Sequence, residues 1–151
     1  MSNFSTTYDQ IRSVLATLFS DKGELESPDN LIDNVDQVLT NGFGVIVGPA
    51  VPQDFDYADF LEDRDFTIVF TEEVRAIPGD KSPLLTIKKN MIEDQVTLKK
   101  DFLSSDQIGV SSSVQRIELV SATGVDFIPG KENILTTSVT FAVGISETIN
   151  T

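Results

Sequence analysis

The sequence predicts an α+β fold: a single antiparallel sheet of four to five strands packed on one side by two main helices, all in one domain spanning residues 1–151. Three patterns lead there. Residues 134–146 alternate apolar and small polar side chains with the period of two that a half-buried strand requires. Residues 5–19 and 82–103 instead carry apolar side chains at the spacing of one helical face. Pro, Gly and Asn at 41–42, 78–80, 123–124 and 129–130 cut the rest into segments of strand length.

Taken in order, residues 5–19 form an amphipathic helix through Tyr8, Ile11, Val14, Leu15 and Leu18, with Ser5 or Thr6 as cap and Lys22-Gly23 as stop. Ser27-Pro28 suits a cap followed by a first-turn proline, so 29–40 reads as a short second helix with Leu31, Val35, Val38 and Leu39, ended by Asn41-Gly42. Residues 43–49 read as a strand that Pro49 ends or places at an edge. Residues 51–63 read as a loop in which Phe55, Tyr57 and Phe60 alternate with Asp54, Asp56 and Asp59. A strand over 64–77 follows, with Phe66, Ile68 and Phe70 on one face and Thr67, Val69 and Thr71 on the other. After the turn Pro78-Gly79-Asp80, Ser82 caps a long helix over 82–103 with Pro83 in its first position. Its core stripe is Leu84, Ile87, Met91, Leu98 and Phe102. Residues 104–112 are a polar connection; 114–122 and 125–128 read as a hairpin around Thr123-Gly124, and Pro129-Gly130 as a second turn. In the last strand Leu135, Thr137, Val139, Phe141, Val143 and Ile145 share the core face. The opposite face is small and polar, suited to solvent or a partner.

Composition narrows the function. The chain holds no His, Cys or Trp, and 24 acids face 11 bases for a net charge of −13. Without His there is no ordinary general base near neutral pH and no Ser-His-Asp triad; without Cys there is no thiolate nucleophile and no typical structural zinc site. Forty per cent hydrophobic content with ten Phe argues for a folded domain rather than an acidic disordered one. The start, from Met1 to Ser5, lacks the basic and apolar runs of a signal peptide, and no apolar stretch is long enough to span a bilayer, so the expectation is a soluble, unexported domain. The acid excess opposes wrapping nucleic acid. It is also uneven. Residues 20–65 hold twelve acids against Lys22 and Arg64, whereas Lys81, Lys88, Lys89, Lys99 and Lys100 crowd one stretch of twenty residues. Unlike patches of this kind suit pairing between copies of the chain; a merely soluble surface is the plainer reading.

Candidate chemistry is sparse. Asp54-x-Asp56-x-x-Asp59 with Glu62 and Asp63 invites a calcium reading, but Ala58 stands where an oxygen ligand is wanted and Asp59 where the EF-hand turn needs Gly. A solvated loop with aromatic anchors fits better. Glu72 and Glu73 are adjacent on a strand and point to opposite faces, so they do not converge as an acid and base. Gly42-x-Gly44-x-x-x-Gly48 enters a strand rather than linking strand to helix and lacks the Lys-Ser/Thr ending of a phosphate loop. Lys88-Lys89 and Lys99-Lys100 sit on one helix without interleaved aromatics, which favours ion pairing or a subunit contact over nucleic acid. No catalytic residue, cofactor or metal is expected. The candidate surface for a neighbouring subunit or partner is Asp54, Phe55, Asp56, Tyr57, Asp59, Phe60, Glu62 and Asp63, together with Lys88 and Lys89.

Three stretches, NGFGVIVG at 41–48, RDFTIVFT at 64–71 running into Glu73-Val74, and LTTSVTFAV at 135–143, together with the amphipathic first helix, resemble the tail terminator (tail completion) proteins of tailed bacteriophages. The likeness covers most of the chain but consists of strand and turn signatures, and the family has no invariant functional motif to carry over. The acidic segment from Asp54 to Asp63 has no counterpart in it. The resemblance implies a non-enzymatic virion protein of the tail and neck, assembled in the host cytoplasm. It implies a homo-oligomeric ring, most simply a hexamer, seated on the last ring of the tail tube protein and offering a joining surface to the neck or connector, with DNA passing through unbound and no membrane involved. Such rings use heterologous interfaces, in which one patch meets a different patch of the neighbour, and an acidic lining leaves DNA free to slide. Related neck and tail-tube proteins give a similar impression. Two other classes stand beside it: a small acidic cytosolic adaptor that pairs through its sheet edge, and a carboxylate-dependent hydrolase using the acidic loop.

Overall fold

The computed structural model describes residues 2–31, 39–56, 58–75, 79–80, 82–104 and 114–149. Two helices pack against a mixed, mostly antiparallel open sheet of six strands. The elements are α1 (Asn3–Leu18), β1 (Gly23–Glu24), β2 (Asn41–Phe55), β3 (Asp59–Glu73), α2 (Ser82–Leu103), β4 (Val114–Ala122), β5 (Asp126–Ile128) and β6 (Lys131–Thr148). The strand order is β1-β2-β3-β6-β4, and β5 also pairs with β6.

The period of two along β6 sets the layers. Leu135, Val139, Phe141 and Val143 are fully buried, with Thr137 and Ile145 nearly so. On the same face, β3 contributes Phe66, Ile68 and Phe70, and both helices dock there through Ile11, Leu15, Met91, Leu98 and Phe102. The Phe102 and Phe141 rings lie 4.9 Å apart at the centre of this layer. The other face holds a smaller cluster of Leu25, Leu39, Val69, Ile128 and Ile134. Chain from the end of β1 crosses this face, and Pro28 lies so close to Gly44 that a Cβ added there would stand 2.6 Å from the Pro28 Cβ. Only glycine admits that approach.

Several boundaries differ from the sequence expectation, each for a physical reason. The sheet has six strands and one parallel pairing, because β1 joins Gly42 and Phe43 with only two residues, too few to show a period. Strand β2 does not end at Pro49 but continues to Phe55, so most of the expected 51–63 loop is a hairpin. Its pairing with β3 shifts between Val47 and Ala50 and again between Pro52 and Asp54, and each proline falls at or beside one of these irregularities, where a missing N–H is tolerated. Segments 114–122 and 125–128 are not a hairpin. Both lie along the same edge of β6, β4 against its second half and β5 against its first, as one strand with a break. The break is held by one backbone bond and two side chains: Thr123 N donates to Ser138 O at 2.9 Å, Ser138 N to Thr123 Oγ1 at 2.9 Å, and Gln95 Nε2 of α2 to Thr123 O at 2.9 Å. The turn at Pro129-Gly130 is present, with Gly130 at φ 81°.

Helix α1 begins earlier than expected. Ser2, not Ser5 or Thr6, is its cap, and Ser2 Oγ accepts from Ser5 N at 3.1 Å. The Glu147 carboxylate from β6 accepts from Asn3 N at 2.6 Å and Phe4 N at 2.9 Å. A carboxylate over the orphan N–H groups of a helix start fixes α1 to the end of β6. Leu18 is half-buried rather than buried, since Phe19 takes the core position beyond it. Helix α2 has the expected bounds, but Gln95 joins Met91, Leu98 and Phe102 on its buried stripe. The expected helix over 29–40 falls largely on 32–38, outside the described residues, as does most of the 104–112 connection.

Phe141→Ala should lower the unfolding free energy by roughly 3–5 kcal/mol, the range for a large-to-small change in a closed core. Urea denaturation of the two proteins measures it, and a loss below about 1 kcal/mol would contradict the placement of Phe141 between β6 and α2.

Candidate functional site

The acidic segment forms the tip of the β2–β3 hairpin. Asp54 stands opposite Leu61 and Phe55 opposite Phe60. Asp56 closes the turn: its N–H donates to Asp59 O at 2.9 Å, and its Oδ1 accepts from Ala58 N at 2.7 Å and Asp59 N at 2.9 Å. This is the self-bonding that makes aspartate a turn residue. Those two backbone donors hold the Asp56 carboxyl below the usual carboxylate range. Asp54 Oδ1 accepts from Phe55 N at 2.8 Å. The acids at the tip therefore spend part of their hydrogen-bonding capacity on backbone, and among the described residues no group of three or more acids gathers as a metal set.

Apolar side chains stand out of this tip. Phe55 is 77% exposed and Val51 58% exposed, whereas Phe60 is half-buried. Beside Phe55 and Phe60 opens a shallow cavity of about 250 Å³ that Asp54, Asp59 and Gln115 also line; Val51, paired with Asp63, is on the other face of the hairpin. Tyr57 lies outside the described residues.

Glu62 and Asp63 belong to the sheet rather than the tip. Arg64 reaches Glu62 at 3.8 Å, stacks over the Phe4 ring at 5.4 Å and donates to Gly48 O at 3.1 Å. Arg116 of β4 reaches across β6 to Asp63, with Nε 3.2 Å from Oδ1 and Nη2 bonded to Oδ2. The pair crosses above Gly144, where an added Cβ would sit 3.0 Å from Asp63 Oδ1 and 3.1 Å from Arg116 Cγ. Asp63 thus braces β3 to β4 across β6, while Glu62 pairs within β3, and the outward-facing set reduces to Asp54, Phe55, Asp56, Asp59 and Phe60. Lys88 and Lys89 lie on α2, the first half-buried and the second exposed. Among the described residues neither makes an ion pair, nor do Lys99 and Lys100.

Sequence reasoning missed one charged group entirely. Lys22, read as part of a helix stop, has a side chain only 4% exposed. Its Nζ donates to Asn41 Oδ1 at 2.6 Å, faces Asp94 Oδ2 of α2 at 3.4 Å and lies 5.8 Å over the Phe70 ring. One cation thereby joins the end of α1, the start of β2, the floor of β3 and the middle of α2. Nothing in the sequence marks Lys22 apart from the other lysines, because its partners are 19 or more positions away. Around it, burial pushes the carboxyls of Glu72 and Asp94 up, Lys22 opposes that, and neighbouring negative charge, including Asp21, adds to it. The arrangement fits a structural joint: Lys22 and Asp94 are turned onto one another, while Asn41 and Glu72 also border an open cleft of about 570 Å³ with Arg75 and Asp80.

No protein-family model and no curated protein matches the chain. Among the described residues no helix is long and apolar enough to cross a membrane.

The joint generates a pH prediction. Glu72 and Asp94 hold their protons more tightly in the fold than in the unfolded chain, where ordinary values are 4.5 and 3.8. Their protonation therefore adds stability that is fully present below the ordinary values and is lost as pH rises through the raised folded ones. Glu72→Gln should raise the melting temperature at pH 7 relative to the parent and flatten the stability profile between pH 4 and 7. Thermal melts across that range check it; a variant less stable than the parent at pH 7 would mean that the Lys22–Glu72 attraction outweighs the cost of burial.

Proposed function

We propose that the chain is a structural protein of the phage tail: a terminator that closes the tail tube as a homo-oligomeric ring, most simply of six copies, and offers the joining surface to the neck or connector. The observation that carries this reading is the coexistence of two unlike exposed surfaces on one domain, the acidic hairpin tip with Phe55 and the lysine-bearing face of α2. Surfaces that differ and complement each other are what a heterologous, ring-closing interface needs. The stretches that resemble tail terminators support it further, since they fall on β2, β3 and β6, three consecutive neighbours in the sheet. On this reading the protein works without catalysis, cofactor or metal, in the virion, after assembly in the host cytoplasm. DNA passes through the ring without specific binding, eased by the net charge of −13.

A second reading has one observation in its favour. Among the described residues the outer edge of β4 has no strand beside it, and Leu119 and Val120 on it are 42% and 55% exposed. An adaptor pairing through that edge by strand addition would use this feature.

Deleting the gene from a phage that encodes it separates the two. The terminator reading expects tails that run past their normal length or fail to join filled heads, with joining restored when the protein is supplied in trans. Tails of normal length on infectious particles would remove the terminator reading.

A further inference from the structure

Helix α2 carries a second apolar stripe that the domain core does not use. Leu85, Ile92 and Leu103 are 64%, 42% and 48% exposed. At 100° per residue they fall within about 20° of one direction on the helix, and half-buried Val96 lies among them. The buried stripe of Met91, Gln95, Leu98 and Phe102 points elsewhere, centred roughly 110° away. Lysines line both sides of the exposed stripe: Lys88 and Lys99 on the side toward the core, Lys89 and Lys100 on the other. Exposed Glu93 is the one acid of α2 beside this frame, on the side of Lys89 and Lys100. Apolar side chains held in water between four lysines that make no ion pair among the described residues form a face that is costly to leave open and favours an acidic partner with an apolar centre.

The same chain presents that partner. The hairpin tip has Phe55 at its exposed end and Val51 on the strand leading to it, with Asp54, Asp56 and Asp59 around the turn and no cation paired to these three acids among the described residues. We propose that the β2–β3 hairpin tip of one copy docks on the Leu85–Ile92–Leu103 stripe of α2 in the next, Phe55 entering the stripe while the tip aspartates meet the lysine frame. Charge complementarity fixes the occupant as a second copy: both halves are present on one domain, opposite in sign and alike in having an apolar centre. Among the described residues neither half is covered by its own chain. Because the halves differ, each copy gives one and receives one, so the contact propagates in a single direction until it closes. This inference rests on the ring reading above and supplies its interface.

Two variants and their mixture test it with the full chain. Phe55→Asp spoils the tip and leaves the stripe; Ile92→Asp spoils the stripe and leaves the tip. Native mass spectrometry with analytical ultracentrifugation should find the parent in a closed oligomer and each variant monomeric, with self-association weakened about 30-fold or more, as expected for loss of a central apolar anchor. Mixing the two variants leaves one sound tip and one sound stripe per pair, so a 1:1 heterodimer should form and grow no further. That heterodimer also shows that both variants are folded. Either variant assembling like the parent overturns the tip–stripe contact while leaving a ring by another interface. A mixture that yields no heterodimer overturns it, and so does a parent chain that stays monomeric up to its solubility limit. In each of these cases the gene-deletion phenotype judges the terminator reading separately.

Discussion

Strand β6 is the constraint from which the rest of the structure follows. It pairs with β3 from Asp59–Thr148 to Glu73–Ile134 without a single shift of register. Its other edge carries both β4 and β5. Because the side-chain period is two, sliding β6 by one residue would turn Leu135, Val139, Phe141 and Val143 out of the core together, at a cost of several kcal/mol. The register is therefore fixed. With it fixed, the place where β3 starts, the reach of the hairpin beyond the sheet and the position of Glu147 over the first turn of α1 are fixed as well. The long apolar face of one strand thus determines where an acidic tip more than eighty residues earlier in the chain must stand.

The sequence was legible where a single periodicity ran long enough to dominate. The α+β class, the alternation of β6, the bounds of α2 and the apolar face of β3 all rest on such runs, and the structure has them. Legibility failed where a local signal was outvoted by a distant partner. Pro49 read as ending its strand or placing it at an edge, and 51–63 read as loop, yet β3 supplies a continuous partner and the ladder takes up Pro49 and Pro52 at its irregularities, on a stretch of β2 that pairs only with β3 among the described residues. Residues 54–59 are acidic and turn-forming, which concealed that Phe55 and Phe60 are a cross-strand pair. The gap at Thr123-Gly124 looked like a hairpin turn; it is a strand interruption because Gln95, two elements earlier, satisfies the carbonyl that the ladder leaves unpaired. Lys22 was unreadable for the same reason, its partners being supplied only by the fold.

Of the candidate surface, the residue types and the approximate place were legible, but not the division of labour. The acids between Ser20 and Asp65 serve at least three ends. Asp56 builds a turn. Glu24 binds Arg12 at 2.7 Å, and Asp63 binds Arg116, as internal braces. Asp54 and Asp59 remain to face outward. The count of 24 acids thus overstates the carboxylates offered to a partner. What distinguishes the tip from the rest of an acidic surface is that its carboxylates surround an exposed phenylalanine. An acid count does not separate these cases; the pairing partners of each carboxylate do.

The position of β6 in the chain has a consequence for how the protein is made. The strand at the middle of the sheet is the last of the described elements to leave the ribosome, and its nearest pairing with β3, Glu73 with Ile134, already closes a loop of about sixty residues. Until β6 arrives, β2 and β3 lack the neighbour that closes the Phe66–Ile68–Phe70 face, and α1, which packs Phe4 on Phe66 and brings Phe19 against Phe70, covers only part of it; so small a sheet is marginal alone. Native assembly thus waits on the synthesis of β6, and a chain interrupted before about residue 134 carries a greasy, unpaired edge. Such a fragment exposes the apolar surface through which partly folded chains aggregate, so the strand order makes the chain most vulnerable just before its central strand is made.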